Sequence, residues 1–331
     1  MKTLRFIGMA LFAVLMCVNF ASCSNDENEV PKTGEEIIVS FGLKGEINVS
    51  ESPLGRAETA PELETNPDLY GIQIYSCPVS SSTYEPYAYG LFDDVSSLNI
   101  SLIKGYKYKV SVLLIKDGKT KINLNSVNGR YDYPFDLAVG ESFTFSTIKK
   151  IDSDSSISLN GGGTYLHAPV EKYYGETTDF IPSDDNNSID IYMKKMFYAI
   201  NFIAENLTEG KLSILAGAFK ERIEIISPEN TFYRLFSIKT PSWAYTSDDS
   251  TEKLTLDFIW TKTDGADIPL GNLEIAVKRN KLYTITIKVA HQNSTSGLNF
   301  TIENEEMTNG ENITFENGEI VDTNIGTETE G

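Results

Sequence analysis

His167 and His291 are the only imidazoles in this 331-residue chain, and neither lies in a sequence that makes a catalyst. His-Glu-x-x-His, which sets two zinc ligands on one helical face, does not occur. Nor does Gly-x-Ser-x-Gly, which sets a serine nucleophile on a strained turn. Asp152-Ser153-Asp154-Ser155-Ser156 begins like a calcium loop. It lacks the glycine at the sixth position and the glutamate at the twelfth, where Gly163 stands, so it reads as a solvated loop. Gly161-Gly162-Gly163 meets neither phosphate-loop spacing and reads as a turn. The acidic pairs Asp93-Asp94, Asp184-Asp185, Asp248-Asp249 and Glu305-Glu306 fall among turn formers. Two facing carboxylates could serve a glycosidase, but nothing in the spacing sets one pair against another. Tyr84, Tyr87, Tyr89, Tyr131 and Tyr133 could stack on sugars, yet Tyr87 and Tyr89 alternate as packing residues do. No catalytic residue, metal or cofactor is therefore expected, and the protein reads as a non-enzyme.

The chemistry that the sequence does support is lipidation. Lys2 and Arg5 precede an apolar run from Phe6 to Phe20, the length of a signal-peptide core and short of the roughly 20 residues of a spanning helix. Phe20-Ala21-Ser22-Cys23 then resembles a bacterial lipobox, with Phe where Leu is usual. On that reading residues 1–22 are removed and Cys23 carries the acyl chains, palmitate among them, each buried methylene adding about 0.8 kcal/mol of membrane affinity. Ser24-Asn25-Asp26-Glu27-Asn28-Glu29 follows, an acidic stretch like those that send certain Gram-negative lipoproteins to the cell surface. Residues 23–35 then form an acidic tether, and the expected location is the outer face of the outer membrane.

The chain has 28 Lys+Arg against 47 Asp+Glu, a net charge of −19. The signal holds two of the basic residues and no acidic one, so the chain from Cys23 onward carries −21. That field repels nucleic acid and anionic head groups, so neither is a partner of the body. Of Cys17, Cys23 and Cys77, only Cys77 remains in the body, which excludes an internal disulfide and a thiolate metal cluster. Cys77 reads as a small buried hydrophobe.

Period-two alternation dominates the rest and predicts an all-β fold built of antiparallel sheets. Ile37, Val39, Phe41 and Leu43 share one face of a strand, and Tyr106 to Val112 and Tyr283 to Val289 alternate in the same way. Shorter candidates are Gly71 to Tyr75, Leu98 to Leu102, Ser142 to Ser146, Lys253 to Ile259 and Leu298 to Ile302. Asp117-Gly118, Asn128-Gly129, Asp264-Gly265, Asn309-Gly310 and Asn317-Gly318 mark turns. Tyr108 to Val112 and Tyr283 to Ile287 share a pattern that hints at duplication. About 300 residues suit two domains. The polar stretch Pro182 to Ser188 places the boundary, giving a first sandwich over 36–187 and a second over 188–303. A long strand-like run from Ile189 to Ala204 would open the second, and residues 304–331 form an acidic tail.

Four features in this order resemble the fimbrillins, the surface lipoproteins of type V pili. They are the lipobox with its acidic follower, the strand Ile37 to Leu43 followed by Leu54-Gly55-Arg56-Ala57, the junction Ile189 to Met196 leading to Asn206-Leu207-Thr208-Glu209-Gly210, and the late Leu270-Gly271-Asn272 with Tyr283 to Val289. The resemblance spans nearly the whole chain. It implies two tandem transthyretin-like β-sandwiches, cleavage after an arginine near the N-terminus, and a strand from a neighbouring subunit in place of the one removed.

Arg56 matches the place of that cleavage, which would release residues 23–56 as a propeptide and with it the strand-exchange residues Ile37, Val39, Phe41 and Leu43. Those four side chains contribute roughly 6–12 kcal/mol if buried. The partners implied are other pilus subunits, joined by β-strand addition, with the outer membrane held through Cys23 and an adhesion ligand on a host or a glycan. The tail departs from a donor strand: Ile313 and Phe315 begin an alternation that Asn317 and Glu319 break. A tip, anchor or other accessory subunit fits as well as a stalk subunit. The alternative reading is a non-polymerising, starch-utilisation-type surface lipoprotein that binds glycans, in which the strand Ile37 to Leu43 is permanent.

Overall fold

The alternating runs that lie within the described residues become strands in the computed structural model, which describes residues 34–47, 67–96, 98–140, 151, 156–217, 221–289, 299–307, 315–316 and 319–320. The first half contains β1 (Glu36–Gly45), β2 (Leu69–Pro78), β3 (Glu85–Phe92), β4 (Asn99–Ile103), β5 (Tyr106–Ile115) and the single turn α1 (Gly118–Lys121). Four two-residue strands follow: β6 (Leu124–Asn125), β7 (Arg130–Tyr131), β8 (Ile157–Ser158) and β9 (Thr164–Tyr165). Long strands resume with β10 (Lys172–Phe180), β11 (Ser188–Lys195), β12 (Phe197–Glu205), β13 (Lys211–Ala216), β14 (Glu221–Ile226) and β15 (Thr231–Ser237). After α2 (Pro241–Thr246) come β16 (Glu252–Thr261), β17 (Asp267–Val277), β18 (Lys281–Lys288), β19 (Asn299–Glu306), β20 (Phe315–Glu316) and β21 (Glu319–Ile320). The expected strand at Ser142 to Ser146 and the turns at Asn309-Gly310 and Asn317-Gly318 lie outside the described residues.

Two sandwiches of one topology result. A seven-stranded sheet runs β3-β2-β5-β10-β11-β1-β4. It folds at β11, whose residues Ser188–Met193 pair with β1 while Lys194 and Lys195 pair with β10. The layer β4-β1-β11 then faces β3-β2-β5-β10 across one core that includes Val39, Ile72, Leu102, Val110, Val112 and Ile191. Gly175 allows the fold: a Cβ there would lie 2.6 Å from Ile191 Cγ2 and 2.7 Å from the Tyr192 carbonyl oxygen. In the second sandwich β15-β12-β18-β19 faces β14-β13-β16-β17 over Ile200, Phe202, Ile214, Phe258 and Ile285. Counted from the start of each sandwich, the strand orders are the same, apart from the added edge strand β19.

The sheets are not wholly antiparallel. β1 runs parallel to β11, and β12 parallel to β18. These are the first and seventh strands of each sandwich, so no hairpin ties their directions together. The strand order repeats between the sandwiches, but not at the segments that suggested a repeat. Tyr108 lies in β5, the fifth strand of its sandwich, whereas Tyr283 lies in β18, the seventh of the other. The boundary expected at 187/188 also moves. β11 completes the first sandwich, and the run from Ile189 to Ala204 is two strands broken at Met196, where the chain passes to the second. The second sandwich likewise ends with β19 at Glu306, not at residue 303.

From Glu36 onward the described residues belong to one compact unit. The chain between β5 and β10 explains why. It packs Ile122, Phe135, Leu137, Ile157 and Val170 on the outer face of β2, β3, β5 and β10, against Leu69, Leu91, Leu113 and Ile115. That cluster runs on through Met196, Tyr198 and Phe236 into the second core. The inner core of the first sandwich also reaches Phe197, Ala199 and Leu235, with the Tyr173 and Phe197 rings edge-on at 5.6 Å.

Candidate functional site

β1 is the element on which the expected chemistry turns, and its surroundings are well defined. Its Ile37, Val39 and Phe41 side chains are buried in the first core, and Leu43 packs half-buried beside them. The intervening Ile38 points outward and is 70% exposed. At the values usual for buried aliphatic and aromatic side chains, three full burials and one partial contribute about 5–10 kcal/mol. β1 is second from the end of its sheet, flanked on both sides. Glu36–Ser40 pair antiparallel with β4, and Ser40–Gly45 pair parallel with Ser188–Met193 of β11. Lys44 Nζ adds a surface ion pair to Asp190 at 2.7 Å.

The sequence makes β1 long and then stops it abruptly. Gly42 faces Asp190, whose Oδ1 would stand 2.5 Å from a Cβ at that position. Gly45 has φ of +108°, and a Cβ there would meet the Met193 carbonyl oxygen at 2.5 Å. Glycine is what turns the chain at that point. Glu46 follows, its N–H donating to the Met193 carbonyl at 2.9 Å.

Glu46 reaches a set of charges from both sandwiches. Its Oε2 accepts the Lys195 N–H at 2.6 Å, and Arg279 Nη1 lies 3.3 and 3.2 Å from its two carboxylate oxygens. Arg279 stands in the β17–β18 turn, 9% exposed, with Nη2 donating to Asp248 Oδ1 at 2.5 Å. Lys194 Nζ donates to the same Asp248 oxygen and to the Tyr245 carbonyl, both at 3.1 Å. The Arg279 guanidinium, then Lys194, holds the Asp248 carboxyl below the ordinary carboxylate range. The Tyr245 hydroxyl donates to the Tyr192 and Glu176 carbonyls, which fastens α2 to β10 and β11. The end of β1 is thus tied to the second sandwich as well as to its own.

The other expected residues scatter. Cys23 and Arg56 lie outside the described residues, as do His291 and Asp152–Ser155. In the covalent chain, β1 is joined to β2 only by residues 46–68, the segment that contains Arg56. His167 Nδ1 donates to the Ser237 carbonyl at 3.2 Å and lies 3.8 Å from Glu252, whose carboxylate accepts the Lys239 and Thr240 N–H groups. That arrangement shapes the approach to α2. The tyrosines form no single platform: Tyr89 and Tyr131 are buried, Tyr87 packs edge-on to Tyr108, Tyr84 bonds Asp179 and Tyr133 is exposed. Among the described residues no group of three or more His, Cys, Asp or Glu is placed to hold a metal ion. Cys77 is buried, its thiol 3.6 Å from the Ser81 carbonyl oxygen. Sequence reasoning missed Glu46, Lys195, Asp248 and Arg279 as a group. Its only signal was the basic turn before β18, because the partners lie far apart in the chain.

No family model matches this chain, and no curated protein does. Solved structures similar to it include a candidate cell adhesion protein from Bacteroides eggerthii, 14% identical, TM-score 0.40, covering 84% of this chain and 98% of that one. The fimbrial anchor protein Mfa2 from Porphyromonas gingivalis is 11% identical, TM-score 0.38, covering 82% of this chain and 97% of that one. The C-terminally truncated tip fimbrial protein Mfa3 from the same organism is 8% identical, TM-score 0.30, covering 72% and 94%. Likenesses this distant assign neither a family nor a function.

Proposed function

We propose that the protein is a lipid-anchored, surface-exposed subunit of an adhesive pilus, joined to its neighbours by β-strand exchange at the place of β1. The observation that carries this reading is the position of β1. It contributes three buried side chains to the first core, pairs with a strand on each side, and is joined to β2 by one segment that contains Arg56. Cutting there leaves β1 held by non-covalent contacts alone. Its departure would open a trough between β4 and β11, edged on both sides by unpaired backbone groups, and such an edge recruits a strand. The 5–10 kcal/mol of burial is comparable with the whole stability of a domain. The cut protein therefore keeps β1 or takes another strand. Acylation at Cys23 would hold the uncut form at the outer membrane, and adhesion is the role that fits such an assembly.

Limited trypsin digestion of the full chain, followed by size-exclusion chromatography, tests the reading. The expected result is early cleavage after Arg56, with residues 23–56 staying bound to the body until an added strand displaces them. Resistance at Arg56 in the folded protein, or loss of residues 23–56 from a body that stays a folded monomer with no strand added, would overturn it. In cells, Cys23→Ala should leave the membrane fraction or stall as precursor. An acylated, membrane-bound Cys23→Ala protein would remove the anchor from the account.

A further inference from the structure

We infer that Arg279 and the Lys195 amide form a carboxylate-binding subsite that selects and registers the strand lying between β4 and β11. This rests on the strand-exchange reading above and names what an incoming strand must carry. In the intact chain Glu46 fills the subsite, taking the Lys195 N–H at 2.6 Å and Arg279 Nη1 at 3.2 and 3.3 Å. β1 cannot leave without taking Glu46 with it. Arg279, 9% exposed, would then keep Asp248 alone. Asp248 is 72% exposed and sits on the far side of the guanidinium, at Nη2, so it does not replace the lost oxygens at Nη1. The Lys195 N–H would lose its acceptor as well. A nearly buried cation and an amide left so are costly, and a strand that brings back a carboxylate removes that cost.

The geometry fixes where the carboxylate must stand. Counting along β1, inward side chains fall at Ile37, Val39, Phe41 and Leu43, then one residue intervenes before Gly45 and Glu46. Gly45 is required by its φ of +108° and by the Met193 carbonyl, 2.5 Å from any Cβ. The fitting strand therefore has four apolar residues at alternate positions, a spacer, glycine and an acid. A strand displaced by two residues would still bury apolar side chains, but its acid would miss Arg279, so the subsite discriminates register where the trough alone does not.

The chain's own tail does not meet this pattern. Setting Phe315 at the place of Leu43 puts Ile313 at Phe41, but Glu311 and Asn309 at Val39 and Ile37, and Gly318-Glu319 arrives one residue late. The occupant is thus a strand from a different subunit and not from a second copy of this chain.

Exchange of fluorescent peptides into the trypsin-cut full chain, read by anisotropy, tests this. One peptide spans residues 35–47, a second carries Glu46→Gln, and a third spans residues 307–320. The native peptide should bind roughly tenfold or more tightly than the Glu46→Gln peptide, the scale of a hydrogen bond to a charged group. Arg279→Met should abolish that preference, and the tail peptide should bind at least about tenfold more weakly than the native one. Equal binding of the first two by the unsubstituted chain overturns the subsite while strand exchange stands. Tail binding equal to native binding overturns the choice of partner. Entry of no peptide removes the strand-exchange reading and the subsite together. If Arg279→Met does not fold, hydrogen exchange at the Lys195 amide in intact Glu46→Ala decides: acceleration of about tenfold supports the subsite and unchanged protection overturns it.

Discussion

Ile37 and Ile38 are adjacent residues of β1 that the pleat sends to opposite faces, so one substitution can be compared at two sites. Ile37 is 7% exposed, inside the first core and opposite Leu102; Ile38 is 70% exposed and opposite Ser101. Ile37→Ala removes buried carbon and leaves a cavity lined by neighbours from β4 and the facing layer. Such changes cost about 2–5 kcal/mol, and a site near the start of a strand belongs at the lower end. Ile38→Ala removes carbon that is already mostly in water and should stay within about 0.5 kcal/mol of the parent. Guanidinium unfolding of the uncut protein, followed by circular dichroism, measures both. The transition midpoint should fall clearly for Ile37→Ala with little change in slope, and barely for Ile38→Ala. Equal effects would mean that β1 is not docked through this face. A larger effect at Ile38 would mean that the strand is displaced by one residue, which exchanges every inward and outward side chain.

Burial lowers the pKa of His167 below the ordinary 6.5, despite the opposing pull of Glu252, and Lys172 and Lys239 push the same way. The neutral ring's contribution is complete above about 6.5 and is lost as the pH falls below it, because the unfolded chain takes the proton first. Stability between pH 7 and 5 should accordingly decline less in His167→Gln than in the parent, and parallel declines would refute the assignment. Gly175→Ala would force a Cβ to within 2.7 Å of the Tyr192 carbonyl and Ile191 Cγ2 where β11 crosses between layers. It should lose about 1–3 kcal/mol in the same denaturation assay, and a neutral result would mean that the crossing is looser than described. Cys77 should resist alkylation in the folded protein and react on unfolding, as mass spectrometry after a timed thiol-reagent pulse would show; rapid native labelling would place it at the surface.

Much of the fold was legible because period two survives wherever a strand has one wet face. Ile37 to Leu43 and Lys253 to Ile259 show it plainly, and both are strands with buried and outward residues in turn. The pattern fails where both faces are covered. Leu113, Leu114 and Ile115 at the end of β5 are all buried, since the chain between β5 and β10 lies on their outer side. The same effect hid the boundary. Ile189 to Ala204 reads as one strand because β11 and β12 are both rich in buried residues, and only Met196 separates them. Parallel pairing of β1 with β11 joins residues about 150 positions apart, and no local pattern encodes it. For the same reason the side chains of β1 were found from sequence, whereas the Glu46–Arg279 contact, bridging residues 233 positions apart, was not.

The central claim is that β1 is a removable strand, and N-terminal sequencing of the protein assembled on the cell surface tests it most directly. The account predicts a mature chain beginning at Ala57, with β1 absent or present only as a separate fragment. Assembled protein in which residues 23–56 remain covalently attached to the body would contradict it.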